Sequence, residues 1–277
     1  MKKILLHFYG YKSKLMPEAV EQIILNQSGQ NAIDVVVYDQ TNVLRPEKFN
    51  NCEYHHIHWD NLLSRFSYIN RSKSKTNYDF FMYVDGAKMF EKNWDLELVM
   101  ANQGKQIVLS GSNNIVFNKE EYRFYPQYFK EKINSSVETG WLVKDFFFMP
   151  FDLFKVLPDT SMFKYHGMEE FYSMFLAISG IPVVAIPSAL VDDKEPSILE
   201  KDFVPFSIYH NYSKVIDSFK KRGDFVSGVD ELSSITGYDF SVLKYFPYPV
   251  NDVEYNPIMN FDLMSEKRFH DTQKSLY

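Results

Sequence analysis

Asp85 is the residue whose setting most demands a chemical explanation. It closes YDFFMYVDG (78–86), a run of Phe, Met, Tyr and Val flanked by polar residues. A carboxylate at the end of so apolar a segment is costly unless it reaches solvent or a cation. Gly86 follows directly, and a residue without Cβ lets backbone or ligand come close, as a diphosphate needs. Asp39 likewise ends a β-branched run at 33–38. Strand-terminal Asp is also common in turns for local hydrogen-bonding reasons, so the two aspartates together mark a rim and not yet a reaction. Glu169 and Glu170 fall in the first turn of a helix whose apolar residues Phe171, Met174, Phe175 and Ile178 recur at helical spacing. The helix dipole accounts for one acidic residue there, which leaves the other for acid–base work. His210 stands between two tyrosines in PFSIYHNY. The triple His55, His56 and His58 does not read as a metal site, because neighbours on an extended chain face opposite ways.

These residues need a frame that collects them. The first forty residues spell a β-α-β unit: an apolar strand at 4–8, Pro17 in a first helical turn, Val20, Ile23 and Ile24 as an apolar stripe, and Ser28-Gly29 as a stop. Such a unit implies a right-handed crossover between parallel strands. Next comes a helix capped by Asp60, with Leu62, Phe66 and Ile69 on one stripe and Arg65 off it. Further strands are expected at 78–86, 106–110, 146–149 and 183–186, with Gly180 ending the helix before the last. Strand and helix alternate through roughly the first 190 residues, which favours an α/β fold with a mostly parallel sheet flanked by helices. Ligands collect beyond the carboxyl ends of strands in such sheets. The expected division is a catalytic domain at 1–213 and an irregular extension at 214–277. YFPYPVNDVEYNP in that extension suits a lid, an acceptor surface or plain packing.

Composition bounds the function. With 277 residues the chain can bury a large core, and 25 Phe with 19 Tyr raise its aromatic share to 17%. Most such rings fill cores. One cysteine, Cys52, excludes an intramolecular disulfide and a four-thiolate zinc site, so the cytoplasm is the expected compartment. The first apolar run is too short for a secretory leader, and no apolar run is long enough to span a bilayer. A net charge of −6 argues against indiscriminate nucleic-acid binding. Two local basic patches remain: Arg71, Lys73 and Lys75, then Lys214, Lys220, Lys221 and Arg222. Runs of this kind are usually solvated faces.

Taken in order, SRFSYINRSKSKTNYDFFMYVDGAKMFEKNWD and DFFFMPFDLFKVLPDTSMFKYHGMEEFYSMFLAISGIPVVAIPS resemble GT-A glycosyltransferases. Within them the similarity is to the branch with cytoplasmic hydroxyproline N-acetylglucosaminyltransferases and bacterial relatives. The residues that match are Arg65, Asp85, Phe90, Trp94-Asp95, Glu169-Glu170 and the late His210. The resemblance implies a GT-A, Rossmann-like sheet and transfer of a sugar from a nucleotide diphosphate, a UDP-sugar above all, to a hydroxyl acceptor. It implies a divalent cation, Mn²⁺ or Mg²⁺, on Asp85 and His210, and a carboxylate base at Glu170 or Glu169. Asp39 and Arg65 would contact the nucleoside, Tyr9 would stack on its base, and Trp141 would line the acceptor side. One departure stands out: Ala87 occupies the position of the usual second ligand, with Lys88 next to it as a substitute source of positive charge. That departure motivates the alternative of a catalytically silent sugar-nucleotide or glycan-binding module. A composition heavy in Lys, Asn, Ile, Phe and Tyr suits a bacteriophage or low-GC source, and with it a hydroxymethylated base of phage DNA as acceptor, the basic patches touching phosphate.

Overall fold

Apolar residues line both faces of the first strand, β1 (Lys3–Gly10), and so require cover on both sides. The structure, a computed structural model, describes residues 1–10, 15–39, 52–56, 62–86, 88–102, 104–111, 136–139, 142, 146–160, 168–187, 191–193, 220–221 and 223. The elements after β1 are α1 (Met16–Leu25), β2 (Ala32–Asp39), β3 (Cys52–His56), α2 (Leu62–Ser72), β4 (Phe80–Asp85), β5 (Lys88–Phe90) and α3 (Trp94–Asn102). They continue with β6 (Val108–Ser110), β7 (Val137–Thr139), β8 (Phe146–Pro150), α4 (Phe151–Val156), α5 (Met168–Ile178), β9 (Val183–Ala185) and β10 (Val191–Asp193). Asp60 lies outside the described residues, as do nearly all of 188–277.

Eight strands form one sheet in the order β3-β2-β1-β4-β8-β6-β9-β7, and β10 pairs with β5 in a separate ribbon. β3, β2, β1 and β4 run parallel, as the β-α-β reading expects. β8 is antiparallel to both β4 and β6, and β7 is antiparallel to β9. The sheet is therefore parallel through its first half and mixed beyond. An apolar run such as FFFMP reads the same in either direction, because a strand buried on both faces has no alternation to orient it.

Each face has its own core. Ile4, Leu6, Phe8, Val35, Val37, Met82 and Val84 pack with Met16, Val20 and Ile23 of α1 and Trp94 and Leu98 of α3. Leu5, Tyr9, Val36, Tyr38, Phe81, Tyr83 and Phe147 pack with Ile69 of α2, Phe154 of α4 and Phe171, Tyr172 and Phe175 of α5. The result is three layers, helix on sheet on helix.

The Trp94-Asp95 pair ties two of these helices and a turn together. Trp94, fully buried, donates its indole N–H to the Ile23 carbonyl of α1 at 2.9 Å. Asp95 is also fully buried, and its carboxylate accepts from Ser28 N–H (2.8 Å), Ser28 Oγ–H (2.6 Å) and Asn31 Nδ2 (2.9 Å). A buried carboxylate is tolerated only when its lone pairs are met in this way. The pair thereby fixes the α1–β2 turn.

Candidate functional site

Backbone pairing sets the geometry of the rim. Tyr9 of β1 is in register with Asp85 on one side and Tyr38 on the other, and Gly10 is in register with Asp39. Asp39 and Asp85 thus end strands that flank β1, as the sequence implies. They do not share one face. Asp85 is in phase with Tyr83 and Tyr9, towards α2, α4 and α5, whereas Asp39 is in phase with Val35 and Val37, towards α1 and α3. The two carboxylates therefore end their strands on opposite faces of the sheet.

Asp85 is 6% exposed, and the Tyr83 hydroxyl donates to its Oδ2 at 3.2 Å. Directly after it the chain turns at Gly86, φ +81°, a left-handed conformation that favours glycine. The Gly86 amide donates to the Tyr9 carbonyl at 3.0 Å, and nothing lies within 4 Å of where a Cβ would stand. A buried carboxylate is thus followed directly by a residue whose Cβ position is open. Asp39 is fully buried and accepts from the Tyr54 hydroxyl at 2.8 Å. Burial first, and the Asp39 carboxylate second, push the Tyr54 phenol above its ordinary pKa.

Below the rim lies a layer of rings that sequence reasoning missed. Tyr9 stacks on Tyr38 (4.5 Å, 10°), Tyr38 on His55 (5.3 Å, 14°), and His55 on Tyr68 of α2 (5.2 Å, 28°). Their signal was alternation: His7 and Tyr9 on one face of β1, Tyr38 opposite Tyr9, and His55 opposite Tyr38. Tyr9 is 3% exposed with Tyr38 against its face, so the ring belongs to the core and offers no open face to a base. His55 is engaged by Glu53, Nε2 to Oε1 at 2.8 Å. Deeper still, the Ser72 hydroxyl donates to the Tyr68 carbonyl and so accepts from Nε2–H of His7 at 2.9 Å. Among the described residues Nδ1 of His7 has no hydrogen-bond partner. Burial, with smaller contributions from Lys75 and His55, lowers the His7 pKa from 6.5 to about 3.

The other expected site residues distribute as follows. Lys88 lies in β5, is 1% exposed, and is in register with Asp193 of β10. Position 65 falls in α2, one turn ahead of Tyr68 and on the side from which the helix enters from the rim. Positions 169 and 170 fall in the first turn of α5, as expected. Tyr172 meets Phe147 edge-on at 6.2 Å, and Phe147 is in register with Tyr83. The start of the second turn of α5 thus packs beside the Tyr83–Phe147 pair. Leu142 N–H donates to Ser173 Oγ at 2.9 Å and ties the segment next to Trp141 to the same helix. The side chains of Arg65, Glu169 and Glu170, and the whole of Ala87, Trp141 and His210, lie outside the described residues.

The first basic patch is largely committed elsewhere. Lys73 donates to the carbonyls of Leu157 (3.0 Å) and Pro158 (2.8 Å), Lys75 pairs with Glu53 (3.2 Å), and Arg71 lies 5.5 Å from the Tyr68 ring centre. In the second patch Lys220 and Lys221 are exposed, and Lys214 and Arg222 lie outside the described residues. Among the described residues no three His, Cys, Asp or Glu side chains cluster as a metal cage, and no helix is long and apolar enough to cross a membrane.

The three-layer α/β domain, with its sheet flanked by helices on both faces, matches a GT-A-like fold. Among solved structures the chain is similar to GalNAc-T7, crystallised with UDP, GalNAc and Mn²⁺, at a TM-score of 0.55 and 12% sequence identity. The match covers 96% of this chain and 55% of that one, so the chain spans about half the length of that neighbour. At such identity the likeness is one of fold. No protein-family model and no curated protein matches the sequence.

Proposed function

We propose that the chain is a glycosyltransferase that moves a sugar from a nucleotide diphosphate, a UDP-sugar first of all, to a hydroxyl acceptor. The observation that carries this reading is the Asp85-Gly86 corner: a buried carboxylate at the end of a central strand of a GT-A sheet, followed by a positive-φ glycine whose Cβ position is open. The neighbour GalNAc-T7 holds UDP and Mn²⁺, which supports the same ligand class here.

A carboxylate oxygen such as Asp85 offers suits a hard divalent cation. Asp85 supplies a carboxylate oxygen, and no protein cage completes the shell among the described residues. Mg²⁺ in such sites is typically held by one or two carboxylates together with substrate phosphates, and the same arrangement for Mg²⁺ or Mn²⁺ here would rest on Asp85, His210 and the diphosphate. When bound, the cation would neutralise charge on the leaving phosphate and orient it. Asp39 and Arg65 would hold the nucleoside across β1, with Tyr9 stiffening the floor beneath it and its carbonyl fixing Gly86. Glu170 or Glu169, in the first turn of α5, would take the proton from the attacking hydroxyl, and Trp141 would line the acceptor side. Lys88 is the reserve source of positive charge if chelation leaves activity intact. Residues 1–213 would form the transferase domain and 214–277 an acceptor-side extension. The resemblance to the hydroxyproline N-acetylglucosaminyltransferase branch directs the acceptor search to protein hydroxyls, with hydroxymethylated DNA second.

The test is incubation with a nucleotide-sugar mixture, Mn²⁺, and protein, glycan and hydroxymethylated-DNA acceptors, read by mass spectrometry. A sugar added to any acceptor, or donor hydrolysis abolished by EDTA, supports the proposal. Tight donor binding with no turnover for any acceptor supports a silent binding module instead.

A further inference from the structure

The carboxylate of Asp85 is held by a neighbour on its own strand. Tyr83 and Asp85 are two apart on β4, so both project from one face. The Tyr83 ring is fully buried against Phe147 (4.9 Å, 14°) and Tyr9 (5.2 Å, 39°), which leaves it little rotational freedom. Its hydroxyl donates to Oδ2 of Asp85 at 3.2 Å. Aspartate side chains have a broad, roughly two-fold terminal torsion, and a donor fixed by two rings narrows it.

We propose that Tyr83 is a positioning residue: its hydroxyl fixes the orientation in which Asp85 presents its carboxylate to a cation–diphosphate ligand. This inference rests on the donor-site reading of Asp85. Ala87 gives the reason for such a device. An alanine side chain cannot coordinate a cation, so at this corner the geometry depends on the carboxylate of Asp85. Partners that orient a metal ligand typically change affinity about 10- to 100-fold when removed.

The experiment measures Mn²⁺ affinity in the presence of UDP, by the EPR signal of free Mn²⁺, for the native chain, Tyr83→Phe, Tyr83→Met and Asp85→Asn. Melting temperature is recorded for each. Tyr83→Phe keeps both ring contacts and removes only the hydroxyl. It is expected to melt with the native chain and to bind Mn²⁺–UDP roughly 10-fold more weakly. Tyr83→Met, a second hydroxyl-free side chain with the flexibility to refill the gap, must show the same loss, which separates the hydroxyl from the ring should either variant fold poorly. In an Asp85→Asn background, Tyr83→Phe is expected to add nothing. If Asp85→Asn abolishes binding while both Tyr83 variants bind like the native chain, the positioning role is overturned and the donor site stands. If Asp85→Asn itself binds like the native chain, the donor-site reading fails and the positioning role with it.

Discussion

Asp85 and Asp95 lie within one short segment, and both match the same family resemblance, yet their surroundings differ in kind. Asp95 is shut away from solvent and receives three hydrogen bonds from Ser28 and Asn31. Asp85 receives the Tyr83 hydroxyl at the rim and borders the open corner at Gly86. A motif read along the chain therefore mixes residues that hold the frame with residues that face a ligand. Geometry separates them: one carboxylate closes a turn between α1 and β2, the other ends a strand where ligands gather.

The contrast can be broken by exchanging one property at a time. Asp85→Asn is expected to lower donor turnover by about 100-fold or more, the scale for losing one charge-stabilising group, while melting with the native chain. Turnover assays and thermal unfolding read both halves. Asp95→Ala should do the reverse, costing about 3 kcal/mol in urea unfolding because three part-buried donors lose their acceptor, with UDP affinity unchanged in the molecules that remain folded. If Asp95→Ala weakened UDP binding at full stability, the division into frame and site would be wrong.

The third test concerns the layer beneath the rim. His7 is neutral in the folded chain, its pKa lowered from 6.5 to about 3 chiefly by burial. The unfolded chain therefore binds more protons between those values, so this contribution to stability is complete above pH 6.5 and falls as the pH drops towards 3. The slope from this group approaches about 1.4 kcal/mol per pH unit. Denaturant titrations at pH 7, 6, 5 and 4 should show that slope in the native chain and a shallower one in His7→Phe. Equal slopes would mean the ring is not buried as described. The smallest effect is expected for Gly86→Ala: about 1 kcal/mol from the positive φ alone, since the space is open. Its loss of UDP affinity should exceed its loss of stability if a ligand comes close to the corner.

Much of the frame was legible in the sequence. β1, α1, β2 and β4 follow from apolar runs with clear stops, and with them come the two aspartates at the rim. The reversal of β8 was not legible, because a strand buried on both faces carries no directional pattern. Nor was the ring layer of Tyr9, Tyr38, His55 and Tyr68, which needs the pairing register as well as the ring count. Lys73 and Lys75 read correctly as ordinary charges only in the bland interpretation, and their partners at Leu157, Pro158 and Glu53 lie too far along the chain for spacing to disclose. Trp94-Asp95 was legible as a motif, whereas its work at the α1–β2 turn depends on contacts across the fold.

The most direct test of the central claim is calorimetric titration of the native chain and Asp85→Asn with UDP, each with Mn²⁺ and with EDTA. The expected result is binding by the native chain that requires Mn²⁺ and is lost in a folded Asp85→Asn. UDP binding of equal strength in both proteins, or none by the native chain with Mn²⁺ present, would contradict the assignment of Asp85 to a nucleotide-diphosphate site.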